Sequence, residues 1–234
     1  FAKGESSWIV YRGRQIEGDS IRCPFHGWRF DAEGKADDIP NLIGDCPEYA
    51  KIESYPVAET LGAIMMWHDP EGGQPDYPPP ALTEWDDAQW INGVYDHLGE
   101  VLIHPQEILD NMSDVNHFGP AHGVPPEYFQ NEAKAHLYIQ QQGGFRDEYN
   151  AYLTTYTWYT GPGLLISHQH IGDSAAYEFI FHTPIENSRV QVWHNVIMRC
   201  ATKTPTDQDR ATQKQMQKEV LAAFSQDFDI WTNK

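Results

Sequence analysis

The pattern of apolar and polar positions divides the chain into a strand-rich start, a strand-rich middle and a helical end. Residues 1 to about 55 contain short β-prone runs between tight turns, at 7–11, 20–23 and 28–30. From residue 135 to 201, alternating and aromatic-rich runs are separated by Gly, Pro, Asn and Asp, which is typical of antiparallel strands. Helical spacing predicts one helix from residue 106 to about 118 and a long one from Thr206 or Asp207 to about Trp231.

These elements predict an α+β fold in two domains. We expect a small all-β domain over residues 1–55. Residues 56–234 are expected to form a second domain, in which a long C-terminal helix accompanies an antiparallel β-sheet in a helix-grip-like arrangement. A chain of 234 residues is long enough for one large core or two modest ones.

Charge and cysteine content narrow the class of protein. The chain has 34 acidic and 16 basic residues, a formal net charge of −18, which disfavours nucleic acid and anionic membranes as partners. Its cysteines (Cys23, Cys46 and Cys200) are few and odd in number, which favours a reducing, cytoplasmic compartment over a secreted disulfide fold. No apolar run approaches the roughly 18 residues that a membrane-spanning helix needs.

Two histidines lie on either side of an expected helix break. Asn111, Asp114 and His117 recur at every third position and share one side of a helix. Gly119-Pro120 is expected to break that helix, so that His122 turns back toward His117. The carboxylate of Asp114 can accept the second ring N–H of His117 and so orient it as a metal ligand. Two solvent-exposed histidines at a helix end are the alternative.

The last helix places one carboxylate in an apolar stripe. Asp227 falls near the middle of a stripe formed by Met216, Val220, Ala223, Phe224, Ile230 and Trp231. Asp229 projects from the opposite side. A lone buried carboxylate is costly unless it is paired or bound to a metal. Asp227 therefore requires a cation, either a metal ion or a buried arginine such as Arg146 or Arg199.

His117, His122 and Asp227 together form a candidate metal site. Two histidines and one carboxylate are the ligand set of non-haem Fe(II) oxygenases, and they leave coordination positions open for O₂ and substrate. Zinc binds the same ligands, so a zinc hydrolase is an alternative. Such a hydrolase would also need a general base, for which Asp114 is the nearest candidate.

A second pair of possible ligands lies in the first domain. Cys23 and His26 are three residues apart on a tight turn with the sequence CPFHGW, and a Cys-x-x-His pair can present two ligands to one metal. A chance pairing and half of a zinc site are the alternatives. Cys46 has no adjacent ligand that would complete such a zinc site, and Cys200, at the end of a predicted strand, is expected to pack in the core.

The order of these motifs resembles that of the Rieske non-haem iron oxygenases. Residues 23–30 (CPFHGWRF) are similar to the second half of a Rieske motif. Residues 111–122 resemble the N-x-x-D-x-x-H-x-x-x-x-H signature of the catalytic domain. HDPEG at 68–72 and QDFDIW at 226–231 are similar to the oxygenase component of 3-ketosteroid 9α-hydroxylase and to the cholesterol 7-desaturases.

This resemblance implies a set of cofactors and roles. Cys23 and His26 would bind a [2Fe–2S] cluster, and the two histidines and Asp227 would bind a mononuclear Fe(II). Asp114 would carry electrons between the centres, and Asn111 would lie near the iron. The implied reaction is O₂-dependent hydroxylation or desaturation of a steroid- or sterol-like substrate. Electrons from NAD(P)H would arrive through a separate reductase or ferredoxin, and the oxygenase would be a homotrimer.

One part of the family pattern is missing. A first Rieske half, Cys-x-His, is expected roughly 16 residues or slightly more before Cys23, but residues 1–22 contain neither Cys nor His. We therefore expect the chain to be a piece of a longer protein, extended at both ends. An oxygenase of aromatic or alkaloid-like substrates and a Rieske electron-transfer protein without oxygen chemistry are the alternatives.

The predicted sheet also suggests a binding pocket. Aromatic, small and aliphatic residues alternate over residues 151–170. Such residues can line a long apolar pocket, while ordinary packing within the sheet is the alternative. The expected lining is formed by Tyr152, Tyr156, Trp158, Gly163, Leu165 and Ile166.

Overall fold

The computed structural model describes residues 16–147, 149–161 and 163–233. The strand predicted at residues 7–11 lies outside them. The chain forms two compact units, Phe1–Pro79 and Pro80–Lys234; the domain boundary predicted after residue 55 stays a prediction. Within the described ranges, no helix has both the length and the apolar character that crossing a membrane requires.

The first unit is built from short antiparallel strands. Within its described residues, 16–79, four strands form a sheet in chain order, and two more form a separate hairpin. The strands are β1 (Ile16–Glu17), β2 (Ser20–Arg22), β3 (Arg29–Phe30), β4 (Ala36–Asp38), β5 (Val57–Thr60) and β6 (Ala63–Met66). Leu61 and Gly62 join β5 to β6 with φ angles of 50° and 73°, the left-handed pair that a tight two-residue hairpin turn requires.

The second unit is an eight-stranded antiparallel sheet, which confirms the predicted sheet. Six strands follow one another as neighbours from β9 to β14, and both earlier strands pair with β14. The strands are β7 (Trp90–Asn92), β8 (Asp96–Val101), β9 (Tyr128–Lys134), β10 (Leu137–Arg146), β11 (Ala151–Thr160), β12 (Leu164–Ile171), β13 (Ser174–Glu186) and β14 (Arg189–Arg199). The sequence does not reveal β9, because its residues are almost all exposed and carry no apolar alternation.

Three α-helices accompany this sheet: α1 (Gln106–Ser113), α2 (Phe118–His122) and α3 (Asp207–Trp231). Thr206, one of the two residues at which the sequence predicted the helix to begin, caps α3: its hydroxyl accepts the backbone N–H of Asp209, whose carboxylate accepts the N–H of Thr206 in return. The main core contains side chains of the sheet together with Ile108 and Met112 of α1 and Trp231 of α3. Both α1 and α3 are therefore fixed by burial of apolar side chains.

The predicted first helix is wrong in one respect. It breaks at Asp114 rather than at Gly119-Pro120, and α2 runs through that pair. The carboxylate of Asp114 accepts the backbone N–H of Asn116 at 2.8 Å, a local bond that competes with the helix. Pro120 is tolerated because it lies in the first turn of α2, where a backbone N–H has no intrahelical partner.

Candidate metal centre

His117 immediately precedes α2, at the end of the linker from α1. Its ring Nδ1 lies 2.6 Å from the backbone carbonyl oxygen of Asp114. Because a carbonyl only accepts hydrogen bonds, Nδ1 carries the proton and Nε2 presents its lone pair. Burial lowers the pKa of His117, which favours the neutral imidazole that a metal requires.

His122 is the last residue of α2. Gly123, with a φ of 70°, ends the helix directly after it. Ring atom Nδ1 of His122 lies 2.8 Å from the side-chain oxygen of Gln226 on α3. This contact orients the imidazole in the same way as the backbone contact of His117, so Nε2 is again the atom available as a ligand.

Asp227 supplies the carboxylate from α3. The residue is 3% exposed, whereas Asp229 is exposed, as the helical wheel predicts. One carboxylate oxygen, Oδ2, accepts the side-chain N–H of Asn111 at 3.0 Å. The other, Oδ1, lies 3.5 Å from Nε2 of His122 and has no hydrogen-bond partner among the described residues. Burial raises the pKa of Asp227, and the two histidines partly offset that effect.

The three side chains converge on one point. His117, His122 and Asp227 each offer a ligand atom, and these atoms lie within 4.8 Å of one another. The two imidazole rings meet edge to face with their centroids 5.2 Å apart. Among the described residues, no arginine forms an ion pair with Asp227. Two oriented Nε2 atoms and an unpaired buried carboxylate oxygen fit a divalent metal such as Fe(II).

Asp114 and Asn111 lie beside this cluster in different ways. Asn111 approaches both sides of it, since its side-chain nitrogen is also 3.4 Å from Nε2 of His117. Asp114 is exposed, and its carboxylate closes the turn to Asn116. Among the described residues, the Asp114 carboxylate does not make the expected hydrogen bond to His117. The Asp114 carbonyl takes its place because the helix has already ended there.

Sequence reasoning missed Gln226 as the residue that orients His122. Gln226 directly precedes Asp227 on α3 and is itself exposed. Nothing in a single sequence marks one exposed glutamine among several on a helix. The second nitrogen of a histidine ligand usually donates to a hydrogen-bond acceptor. This rule predicts that His122 has such a partner, but it does not identify Gln226.

A cleft of about 1060 Å³, counting its open mouth, contains the cluster. Of the six residues predicted to line a pocket, only Leu165 does so. Side chains alternate between the faces of a strand. Tyr152, Tyr156 and Trp158 alternate along β11 with Leu153, Thr155 and Thr157, which line the cleft, and so lie on the other face. The prediction was therefore wrong in its choice of face.

Cys23 and His26 share a tight turn in the first unit. The backbone N–H of Cys23 donates to Trp28 at 2.7 Å, and that of Gly27 donates to Cys23 at 2.9 Å. Gly27 has a φ of 73°, which favours glycine. His26 is exposed and Cys23 is partly buried. The turn thus holds one Cys and one His, the two residue types that bind a Rieske cluster, three residues apart.

A two-histidine, one-carboxylate cluster on helices that accompany an antiparallel sheet, preceded in the chain by a Cys-x-x-His turn, defines the class of Rieske-type oxygenases. Residues 66–234 match the family described as "3-Ketosteroid 9alpha-hydroxylase C-terminal domain", and residues 7–56 match the Rieske [2Fe-2S] domain. The chain belongs to the 3-ketosteroid 9α-hydroxylase C-terminal domain family. Its cofactors are a Rieske [2Fe–2S] cluster and a mononuclear iron.

Individual relatives agree with this assignment. A 3-ketosteroid-9-alpha-monooxygenase oxygenase component from Rhodococcus rhodochrous is 29% identical over 94% of this chain and 60% of its own length. Cholesterol 7-desaturase from Caenorhabditis elegans is 38% identical over 49% of this chain and 27% of its own length. The structure of Pseudomonas putida CBB5 NdmA with caffeine has a similar fold, with a TM-score of 0.70 and 14% identity over 94% of this chain and 65% of that one. This chain spans about 60% of the first curated relatives that it matches.

Proposed function

We propose that this chain is the larger part of the oxygenase component of a Rieske non-haem iron system. His117, His122 and Asp227 hold the mononuclear iron, and Cys23 and His26 are ligands of the [2Fe–2S] cluster. The reaction is the O₂-dependent hydroxylation or desaturation of a steroid- or sterol-like substrate. The observation that carries the proposal is the convergence of three ligand atoms within 4.8 Å, inside a cleft of the catalytic unit.

The residues of the chain prepare the site for the metal. When bound, the iron supplies positions at which O₂ is activated beside the substrate. The carbonyl of Asp114 and the side-chain amide oxygen of Gln226 fix the tautomers of the two histidines, so that both Nε2 atoms would be available to hold the metal. Asn111 holds one oxygen of Asp227 and leaves the other for coordination.

The cleft wall around the ligands suits a bulky apolar substrate. Residues from all three helices and from the sheet contribute to it, and their apolar side chains limit the access of water to the reacting atoms. The apolar lining is formed by Ile108, Met112, Phe118, Val124, Leu153, Leu165, Ile180, Val220, Ala223, Phe224 and Trp231. The names of the steroid and sterol relatives support the same substrate class.

Electron delivery is the part that involves partners. A reductase or ferredoxin passes electrons from NAD(P)H to the Rieske cluster. In a homotrimer, Asp114 then relays them to the iron from the cluster of a neighbouring subunit. The position of Asp114 supports this role, because its side chain is exposed while its carbonyl contacts the ligand His117.

Steroid-dependent turnover tests the proposal. A form that carries a complete Rieske domain is mixed with a reductase, NAD(P)H and a 3-ketosteroid, and O₂ uptake is measured. We expect O₂ uptake coupled to a product that has gained one oxygen atom or lost two hydrogens, and no uptake with benzoate. Full cluster and iron content without steroid-dependent O₂ uptake would contradict the substrate assignment. Cluster iron without mononuclear iron would indicate an electron-transfer protein.

A further inference from the structure

The sheet face that lines the cleft carries two rows of polar side chains across neighbouring strands. The row nearer α1 contains Gln140, Thr157, Ser167 and Glu178, which are direct partners in register from β10 to β13. The second row lies two residues further along β10 and contains Gln142, Thr155 and Gln169. Both rows line the cleft, so the sheet adds polar side chains to a wall that is otherwise largely apolar.

The row nearer α1 is satisfied by its own contacts. Gln140 donates to the carbonyl of Met112 at 2.8 Å, and the hydroxyls of Thr157 and Ser167 lie 2.8 Å apart. Glu178 contacts Gln169 and His194, each at 3.2 Å. These side chains therefore have partners within the protein and need none from a ligand.

The second row differs from the row nearer α1 because some of its polar atoms have no partner. The same holds for Arg146, which lies at the end of the same face of β10. Oε1 of Gln142, Oγ1 of Thr155 and Nε of Arg146 are buried and have no hydrogen-bond partner in the part of the chain that the structure describes. Each belongs to a residue that lines the cleft. A buried polar atom without a partner is costly, so three at one end of a cleft indicate a polar ligand group.

Arg146 sets the charge of that group. Among the described residues, its guanidinium makes a single hydrogen bond, a long one of 3.4 Å from Nη1 to the carbonyl oxygen of Phe145. The hydroxyl of Tyr152, the backbone N–H of Phe145 and the charge of Arg146 lower the pKa of the neighbouring Glu127 carboxylate. Its oxygens accept hydrogen bonds from Tyr152 and Phe145, and among the described residues it forms no ion pair with Arg146. A Cβ on Gly144 would lie 3.2 Å from Nη1, so the guanidinium folds back over Gly144, along the strand toward the metal-binding end.

The spacing along β10 separates the two ends of the cleft. Gln140 contacts α1 near the metal ligands, and Arg146 lies six residues further on, which corresponds to roughly 20 Å of extended strand. Glu178, the anionic residue of the row nearer α1, lies three strands from β10 and level with Gln140. An anion between Arg146 and the second row is two or three strands from that carboxylate, which corresponds to roughly 10–15 Å across the sheet.

We propose, building on the proposed function, that the substrate is a steroid with a carboxylate at the end remote from the oxidised carbon, and that Arg146, Thr155 and Gln142 bind this carboxylate. The guanidinium and the Thr155 hydroxyl donate to its oxygens. The Gln142 amide turns to present its N–H₂. Arg146 and Thr155 are specificity-determining residues, and neither is placed at the reacting atoms.

A matched pair of ligands tests the inference. One 3-ketosteroid ends in a carboxylate, and the other is its methyl ester. Each is titrated into the iron-loaded protein, and binding is followed by calorimetry. We expect the acid to bind roughly tenfold to a hundredfold more tightly than the ester. Arg146→Gln should abolish this preference without changing ester affinity, and Thr155→Val should reduce it. The exposed Arg199→Gln should leave it intact.

The outcomes separate this inference from the proposed function. Equal binding of acid and ester by the wild type, or an unchanged preference in a folded Arg146→Gln protein, would overturn the carboxylate site alone. If Arg146→Gln fails to fold, Thr155→Val and the wild-type preference decide. Binding of neither steroid would refute the steroid assignment and this inference with it. Iron content, measured in the same samples, reports separately on the metal site.

Discussion

Replacing Asp227 by Asn should stabilise the metal-free protein and abolish its response to iron. The Asp227 carboxylate is 3% exposed, burial raises its pKa, and its Oδ1 has no hydrogen-bond partner among the described side chains. Asn keeps the shape and can still accept the N–H of Asn111. Removing an uncompensated buried charge should therefore stabilise the metal-free fold by about 1–3 kcal/mol.

Iron should reverse this order of stability. A ligand that binds only the folded state at 100 times its Kd stabilises it by about 2.7 kcal/mol. Asp227→Asn removes one of three ligands, so iron affinity should fall by more than the roughly hundredfold seen for residues that only orient a ligand. At such a concentration, iron should stabilise the wild type by about 2–3 kcal/mol and leave the variant almost unchanged.

Thermal unfolding with and without ferrous iron under anaerobic conditions measures both effects. In a unit of this size, 1 kcal/mol corresponds to a Tm shift of about 2–4 °C. Metal-free Asp227→Asn should melt above the metal-free wild type, and the iron-dependent rise should occur in the wild type alone. The exposed Asp229→Asn should match the wild type in both states. An equal iron-dependent shift in Asp227→Asn would refute the reasoning.

Three further predictions concern residues around the cluster and in the core. Gln226→Leu removes the acceptor that orients His122 and should weaken iron binding by roughly tenfold to a hundredfold. Asp114→Asn keeps the backbone carbonyl that orients His117 and a side-chain oxygen for the turn, so it should retain iron. Electron transfer from a pre-reduced cluster should stop in a single turnover, because the proposed relay through the Asp114 carboxylate is lost. Burial lowers the pKa of His182 to about 4. The unfolded chain binds this proton more readily, so stability should be complete above pH 6.5 and fall by about 3 kcal/mol as the pH drops toward 4. His182→Gln, which keeps a partner for the Tyr159 hydroxyl, should remove that loss.

Each of these variants has a control or a clear contrary result. Gln215→Leu, on an exposed part of α3, should not change iron affinity. If it weakened iron binding as much as Gln226→Leu does, the effect of Gln226→Leu would be explained by a change in helix stability. Normal cluster re-oxidation in Asp114→Asn would leave Asp114 with no role in electron transfer. For acid stability, followed by urea unfolding across the pH range, His136→Gln at an exposed site should behave as the wild type. Identical pH profiles for the wild type and His182→Gln would disprove the assignment.

Features set by local periodicity could be predicted from the sequence. The antiparallel sheet follows from alternating runs, and the burial of Asp227 follows from its place in the apolar stripe of α3. Thr206 caps α3 because a Thr followed three residues later by an acid forms two reciprocal bonds. Convergence of His117, His122 and Asp227 was predicted from residue types and family resemblance together; their role as iron ligands stays a proposal.

Features set by tertiary contacts could not be predicted. The helix break at Asp114 depends on a turn bond to Asn116 that competes with one more helical turn. The cleft-facing side of β11 could not be chosen, because aromatic residues such as Tyr156 alternate there with small polar ones such as Thr155, and alternation alone does not say which face packs inward. Gln226 orients His122 across two helices that are distant in sequence.

The ferrous nitric oxide complex tests the central claim most directly. Nitric oxide binds mononuclear Fe(II) at an open position and gives an electron paramagnetic resonance signal distinct from that of the Rieske cluster. We predict the signal in the wild type and in Asp229→Ala, and its loss in His117→Ala, His122→Ala and Asp227→Ala, with folding checked by circular dichroism. A signal of full intensity in any folded variant of those three would contradict the proposed iron site.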